Sequence, residues 1–384
     1  MSTLIQKPTL MHRIRPVVAG MDLPLLLGFA MLAGLGLLIM YSSGYDHGER
    51  FYDHGRNLLL SLGIMLVVAQ VPLPYIMRAA LPLYAVGVVL LLAVAAFGIT
   101  RKGSTRWLNL GVVIQPSELM KIAMPLMLAW WFQMREGSLR FWDFVAAFVI
   151  LLVPFALIAK QPDLGTGLLV LSGGLLVIYF AGLRWRWILP VFVLGGIGIS
   201  LMVFFGDPLC ADGVNWHVLK EYQRQRVCTL LDPTRDPLGK GFHIIQGMIA
   251  IGAGGFWGKG FMQGTQTHLE FIPERTTDFI FAAYSEEFGL VGNLLLIGTF
   301  AFIVYRGLVI AQHAPTLFAR LMAATIAILF FFYAFVNMGM VSGILPVVGV
   351  PLPYVSYGGT AMITLGFALG ILQAISKAKK IIQS

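Results

Sequence analysis

Apolar residues recur along this chain in ten long blocks separated by polar segments. Each block holds roughly 20 residues, enough for a helix to cross a hydrocarbon layer about 30 Å thick. In lipid, a backbone must pair its N–H and C=O groups internally, so each block is predicted to be a helix. The pattern predicts an all-α integral membrane protein, one polytopic domain over residues 1–384 with ten transmembrane helices. The blocks lie near 23–43, 56–72, 79–98, 117–134, 143–160, 165–182, 187–206, 279–305, 319–341 and 353–376.

Charge sets the predicted orientation of these helices. Hydrophobic residues make up 58% of the chain, charged residues only 12%, and the net charge is +9. With a cytoplasmic N-terminus, most Lys and Arg residues fall in cytoplasmic segments, which the positive-inside rule favours. Ten crossings then place both termini in the cytoplasm. The long segment 207–278, between the seventh and eighth blocks, lies outside.

The two cysteines, Cys210 and Cys228, both belong to this long outer loop. Disulfides persist outside the cytoplasm, so a bond between the two is chemically allowed. The alternative is a pair of free thiols that never meet. Their isolation in one exoplasmic loop favours the bond.

Charged residues within the predicted spans are candidates for function, because a charge in lipid is costly unless it is paired. Glu118 and Lys121 lie three residues apart at the start of the fourth block, on one face of the helix. They form either a structural ion pair or part of a site. Glu286 and Glu287, two turns into the eighth block, are open to the same two interpretations.

Two aspartates precede predicted helices. Asp163 either caps the following helix or faces a cavity, and capping is the commoner role of an Asp in this position. Asp278 lies at the outer boundary of the eighth block, where it is either another cap or a site residue. A cap does not require the basic residues nearby in sequence, Lys240, Lys259 and Arg275, and this favours a site.

Four basic residues in the outer segments, Arg106, Arg224, Arg226 and Lys259, are candidates for binding phosphate. Arginine matches phosphate oxygens with two hydrogen bonds. The alternative is a surface that meets anionic lipid headgroups, and charge alone does not separate the two. The sequence has no HExxH motif, no Walker A motif and no GxSxG motif, so an ATP-driven pump is not predicted.

Seven motifs follow one another along the predicted membrane region: QPSE (115–118), QPDLGT (161–166), YQRQRV (222–227), LLDPTRDPLGKGFHIIQ (230–246), PERTTDFIFA (273–282), GMVSGILPVVGVPLP (339–353) and SYGG (356–359). Together they resemble the SEDS family, the shape, elongation, division and sporulation proteins. The sixth motif, with GTQ at 264–266, is closer to the elongation branch than to the division branch.

This resemblance implies a peptidoglycan glycosyltransferase that polymerises lipid II in the bacterial inner membrane. It also implies ten spans, a class B penicillin-binding protein and other elongation-complex proteins as partners, and no role for nucleic acid. The family's essential aspartate corresponds to Asp278 and its salt-bridged pair to Glu118 and Lys121. Its second acidic position corresponds to Asp163, and the tryptophan after the basic loop to Trp107.

The chain departs from the family pattern in two places. Thr276 stands where relatives often have His, and the segment 207–221 is longer than usual. Neither difference removes Asp278.

The implied reaction converts an α-linked sugar pyrophosphate into a β-1,4-linked polymer. Inversion of the anomeric centre favours a single displacement, with Asp278 as general base. The leaving pyrophosphate needs positive charge, from the four basic residues or from a divalent cation such as Mg²⁺ or Mn²⁺. A lipid II flippase and a scaffold of the elongation machinery without chemistry of its own are the alternatives.

Overall fold

A computed structural model describes residues 20–45, 48–101, 104–109, 111, 113–161, 163–210, 214, 221–235, 239–269 and 271–382. These residues form a bundle of helices. In chain order they are α1 (Leu23–Ser43), α2 (Gly48–Val68), α3 (Leu73–Arg78), α4 (Ala80–Phe97), α5 (Pro116–Gln133), α6 (Phe141–Lys160), α7 (Leu164–Phe180), α8 (Trp185–Phe204), α9 (Gly206–Leu209), α10 (Glu221–Leu231), α11 (Lys240–Gly254), α12 (Thr265–His268), α13 (Ile280–Gln312), α14 (Leu317–Val341) and α15 (Gly359–Ile382).

Each of the ten predicted blocks overlaps one of these helices. Among the described residues, seven helices are long and apolar enough to cross a membrane: Leu23–Ser43, Leu73–Phe97, Phe141–Lys160, Trp185–Phe204, Ile280–Gln312, Leu317–Val341 and Gly359–Ala378. The protein is therefore a helical membrane protein. The helix of the second block begins earlier than predicted, at Gly48, and that of the tenth begins later, at Gly359.

Polar contacts fix α1 at both ends. At its start, Asp22 pairs with Arg306 at 2.6 Å. At its end, Ser42 donates a hydrogen bond to Glu287, and the Ser43 carbonyl accepts one from Arg275 at 2.9 Å. The 21 residues of α1 extend over about 31 Å. The two polar layers are thus one hydrocarbon thickness apart, as expected for a transmembrane helix.

The predicted eighth block, 279–305, is wrong as one continuous helix. Gly289 inside α13 has φ 61° and ψ −157°, which breaks the helix. Ser285 Oγ and Asn293 Oδ1 lie 3.0 Å apart, whereas residues eight apart in a straight helix are about 12 Å apart along its axis. The two parts of α13 therefore pack against each other across the break. Its apolar composition predicted the helix but not the glycine conformation that divides it.

The all-α prediction is also incomplete, because three short strands lie between α4 and α5. They are β1 (Ile99–Arg101), β2 (Ser104–Asn109) and β3 (Val113–Ile114), and they form an antiparallel sheet in the order β1-β2-β3. Strands this short leave no apolar block in the sequence. Successive residues of a strand face opposite sides, so Arg106 and Trp107 of β2 face in different directions.

The segment 207–278 contains most of α9 and the helices α10 to α12. Cys210 and Cys228 form a disulfide with their Cα atoms 5.6 Å apart, within the usual range for such a bond. The disulfide that the sequence analysis favoured is therefore present in the structure. The stretch 207–221, which the sequence analysis identified as a departure from the family pattern, lies mostly outside the described residues.

Candidate functional site

A polar cleft of about 280 Å³ opens among the loops and helix ends that carry the sequence motifs. Such a volume is close to the lower end of typical ligand pockets. The cleft brings together five of the predicted site residues, which are Arg106, Glu118, Lys121, Asp163 and Asp278. They come from β2, from α5, from the start of α7 and from the segment just before α13, so distant parts of the sequence meet here.

Asp163 both caps a helix and faces the cleft, so its two interpretations are compatible. Its Oδ1 accepts a 3.4 Å hydrogen bond from the Thr166 backbone N–H at the start of α7. Its Oδ2 accepts hydrogen bonds from Gln115 at 2.8 Å and from Ser117 at 3.3 Å. Arg106 lies 3.4 Å from Oδ1. Asp163 thus joins β2, the start of α5 and the start of α7 at one wall of the cleft.

Glu118 and Lys121 form an ion pair at 2.6 Å on α5. Their side chains are only 13% and 5% exposed, which distinguishes the pair from an ordinary surface salt bridge. Thr364 of α15 lies within 3.4 Å of Glu118, and the Lys121 ammonium lies 5.4 Å from the centre of the Tyr333 ring. The pair therefore connects the cleft to the interior of the bundle, and it fits the structural and the site interpretation equally.

Asp278 lies in the turn that leads into α13, and its side chain lines the cleft. Its main-chain carbonyl accepts a 3.0 Å hydrogen bond from Asn337. Opposite it, Gly349 has φ +74°, and a Cβ added there would lie 3.4 Å from Asp278 Oδ2. Glycine at 349 therefore suits both the backbone turn and the space beside the carboxylate.

The start of α2 lies behind the lining of the cleft, a contact that the sequence analysis did not predict. Asp53 accepts a 3.2 Å hydrogen bond from the hydroxyl of Tyr357, a residue that lines the cleft. Arg50 donates a 2.6 Å hydrogen bond to Thr276, the position where relatives often have His. Asp53 and Arg50 precede the predicted second block, which begins near residue 56, so the apolar pattern did not place them on a helix. The sequence pattern did not show that α2 begins before the apolar block, at Gly48.

The other basic candidates lie apart from the cleft. Lys259 pairs with Glu286 at 2.6 Å, and Glu286 is fully buried. The backbone N–H of Lys259 also donates to the Glu286 carbonyl, at 3.0 Å, so this residue attaches the loop that follows α11 to α13. Arg224 and Arg226 belong to α10 and do not line the cleft; Arg224 donates to the carbonyl of Val214.

Trp107 is half-buried on β2 and does not line the cleft either, whereas its neighbour Arg106 does.

The carboxylates of the cleft do not form an evident metal centre. Glu274, Glu118, Asp163 and Asp278 all line it. Within the described part of the chain, no group of three or more His, Cys, Asp and Glu side chains is arranged to hold a metal ion. Glu118 and Asp163 have the protein partners described above, and Glu274 accepts a 2.6 Å hydrogen bond from the Thr277 hydroxyl.

The fold and the cleft define a helical membrane protein whose site, at one end of the bundle, is lined by both acidic and basic side chains. Residues 21–381 match the family model described as cell cycle protein, of the FtsW, RodA and SpoVE type. The chain belongs to this family, and the resemblance to the SEDS proteins is thereby confirmed.

Individual relatives are similar over almost the full length. The peptidoglycan glycosyltransferase MrdB of Escherichia coli strain K12 is 47% identical over 360 residues, covering 93% of this chain and 94% of MrdB. Stage V sporulation protein E of Bacillus subtilis strain 168 is 33% identical, with 93% and 97% covered.

Two solved structures share the fold. A chain from a structure titled as a peptidoglycan synthase complex that coordinates polymerization and crosslinking has a TM-score of 0.77 and 31% identity, with 94% of this chain and 99% of that chain covered. The rod shape determining protein RodA of Thermus thermophilus has a TM-score of 0.68 and 26% identity, with 94% and 98% covered.

Proposed function

We propose that this protein is a peptidoglycan glycosyltransferase that polymerises lipid II into glycan strands during cell elongation. The observation that carries the proposal is the 47% identity, over 93% of the chain, to a protein named peptidoglycan glycosyltransferase. The cleft supports it, because five of the seven sequence motifs contribute residues to its lining, where acidic and basic side chains meet.

Asp278 is assigned as the general base. The donor sugar is α-linked to pyrophosphate and the product is β-1,4-linked, so the reaction inverts the anomeric centre and needs no covalent sugar intermediate. The Asp278 carboxylate takes the proton from the acceptor 4-hydroxyl as the C–O bond forms. The bond to pyrophosphate breaks in the same step, and the lipid pyrophosphate leaves with the bonding electrons.

Arg106 is the strongest of the four basic candidates for stabilising the departing pyrophosphate. It alone lines the cleft with Asp278, and its side chain is 30% exposed, so it is accessible to a ligand. Fixed positive charge beside a developing anion lowers the barrier. A divalent cation, Mg²⁺ or Mn²⁺, is the second source of charge that we propose, to be tested by titrating each metal into chelator-treated protein.

The proposed arrangement in the membrane has ten crossings, both termini in the cytoplasm and the segment 207–278 outside, in a bacterial inner membrane. The fixed ends of α1 support a membrane boundary at the level of Glu287 and Arg275. The pairing of Asp22 with Arg306 supports the opposite boundary. The cleft then opens towards the side where lipid II presents its sugar.

The deciding experiment gives fluorescent lipid II to the purified protein and resolves glycan strands on a gel. The wild-type protein is expected to form strands, and Asp278→Asn, which is nearly isosteric, is expected to form none. Asp143→Asn is the matched control, since Asp143 pairs with Arg135 at 2.8 Å away from the cleft. Glycan strand formation by Asp278→Asn would contradict the assignment of Asp278 as general base. An inactive wild-type protein would contradict the proposed glycosyltransferase activity.

A further inference from the structure

Two buried side chains bind the main chain at the proposed base. The Thr277 carbonyl accepts a 2.7 Å hydrogen bond from Ser356 Oγ. The Asp278 carbonyl accepts a 3.0 Å hydrogen bond from Asn337 Nδ2. The first carbonyl group that accepts a hydrogen bond from α13 belongs to the following residue, Phe279, whose donor is the Ala282 N–H. The segment that ends at Asp278 is therefore held by contacts from outside its own helix.

A third contact reinforces the same segment, because the Tyr357 backbone N–H donates to the Thr276 carbonyl at 2.8 Å. Three consecutive carbonyl groups, from 276 to 278, are thus fixed by three donors. Such a set restricts both the position and the rotation of the turn. The Asp278 side chain, which leaves from this turn, is then directed into the cleft.

Ser356 and Asn337 each bridge two main-chain segments. Ser356 also accepts a 2.8 Å hydrogen bond from the Leu352 N–H, and Asn337 also donates to the Val350 carbonyl at 2.7 Å. Their exposures are only 2% and 0%. Through them the turn before α13 is tied to the irregular segment before α15, which carries the opposite wall of the cleft.

We propose that Asn337 and Ser356 are positioning residues that hold the Asp278 carboxylate at the reacting hydroxyl. The inference deepens the proposed function and rests on the role of Asp278 in it. Neither side chain is itself a lining residue of the cleft, so each acts through the main chain of the turn. Displacing a reacting group by about 1 Å can lower a rate by about 100-fold.

The test compares kcat and KM for lipid II polymerisation by purified full-length variants. Ser356→Ala is expected to lower kcat about tenfold and Asn337→Leu up to about 100-fold, with KM within about twofold of the wild type. Ser356→Thr keeps the hydroxyl and is expected to restore most of the rate. Thermal unfolding of each variant is measured alongside.

Two controls remove equivalent contacts elsewhere. Ser43→Ala removes a fully buried hydroxyl that donates to the Ile39 carbonyl at 2.8 Å. Gln373→Met removes a fully buried amide that donates to the Asp22 carbonyl at 3.1 Å, at the other end of the bundle. Both are expected to lower the unfolding temperature about as much as the test variants while kcat stays near the wild-type value.

A loss of kcat no larger than in the controls, or a rise in KM with kcat unchanged, would overturn the positioning role. Ser356→Ala is the milder change, and it decides the question if Asn337→Leu does not fold. Asp278→Asn separates the two proposals. If it polymerises, the base assignment has failed; if it is inactive while Ser356→Ala and Asn337→Leu are fully active, only the positioning role has failed.

Discussion

The pair of Glu118 and Lys121 is a charged contact buried inside a membrane bundle. With 13% and 5% of their side chains exposed, each charge depends on the other because water does not reach it freely. Breaking a buried ion pair by removing one partner typically costs about 3–5 kcal/mol, since the remaining charge is uncompensated. Replacing both partners with neutral residues avoids that penalty.

We therefore expect Glu118→Gln and Lys121→Met each to lower stability by about 3–5 kcal/mol, and the double variant to lose clearly less than the sum. Unfolding of the four proteins in one detergent measures the coupling. The pair of Arg135 and Asp143 is the control, because its side chains are 32% and 18% exposed and such pairs contribute about 1 kcal/mol or less. Additive losses at Glu118 and Lys121 would show that the two residues are not coupled.

Whether a contact in the cleft could be predicted depends on how far apart its two residues lie in the sequence. Glu118 and Lys121 were predictable as a pair because helical spacing alone brings them together. The contact of Asp278 with Asn337 joins positions 59 residues apart, which no local pattern reveals. Lys259 was a candidate for binding pyrophosphate because it lies near Asp278 in sequence, but in the structure its ammonium group pairs with Glu286.

At the scale of the element, α13 is the clearest case in which one residue determines a helix's shape. A Cβ on Gly289 would lie 2.3 Å from the Gly258 backbone nitrogen and 2.8 Å from the Phe256 carbonyl oxygen. Its φ of +61° would also strain any other residue, at a cost of about 1–2 kcal/mol before the steric overlap. Glycine is thus required both for the break and for the loop that packs there.

Gly289→Ala is accordingly expected to destabilise the protein by more than about 2 kcal/mol and to lower its polymerisation rate, because the turn at Asp278 begins the same helix. Gly298→Ala is the matched control in α13. Nothing lies within 4 Å of a Cβ at that position, and alanine favours a helix over glycine by about 1 kcal/mol. Unfolding temperatures of the two variants give the comparison, and equal effects would mean that the break is not a required feature.

The disulfide lies close in sequence to α8, a helix that packs little against the rest of the protein. None of the described residues of α8 is buried, and Cys210 follows α8 by way of the short α9. Cys228 lies 18 residues further along, in α10. A covalent bond across a loop of this length restricts the unfolded chain and can contribute about 3 kcal/mol.

Cys210→Ser, Cys228→Ser and the double variant are expected to lose the same stability, about 3 kcal/mol, since all three remove one bond. Mass spectrometry of alkylated, non-reduced protein from an oxidising envelope should find neither thiol modified. Two alkylated thiols in that sample would rule the bond out. A double variant less stable than both single variants would point to a packing role for the cysteines.

The helices were largely predictable from the sequence because lipid imposes one simple requirement on all of them, an apolar length. The strands β1 to β3 escaped this rule because they lie outside the apolar blocks. The start of α15 was placed too early because residues 353–358 are apolar and yet irregular. Tyr357 and Gly358 line the cleft, and the Ser356 hydroxyl and the Tyr357 N–H bind the carbonyl groups of Thr277 and Thr276. These long-range contacts, which hydropathy does not reveal, hold the segment outside the helix.

At the scale of the whole molecule, the family suggests that the bundle does not work alone. A solved structure that shares this fold with a TM-score of 0.77 is titled as a synthase complex that coordinates polymerization with crosslinking. Crosslinking is a second chemistry, and no motif of this chain was assigned to it. We infer that a separate transpeptidase receives the strand that is made in the cleft.

We therefore expect this protein to associate with a single-pass class B penicillin-binding protein whose membrane helix packs against the bundle. In lipid, helices associate through close packing and polar contacts without a hydrophobic driving force, so the complex should survive mild detergents better than harsh ones. Co-purification from native membranes with a tag on this chain measures it, with an unrelated multi-pass protein carrying the same tag as the control. Recovery of this chain without a penicillin-binding protein, under conditions that retain its polymerase activity, would count against the partnership.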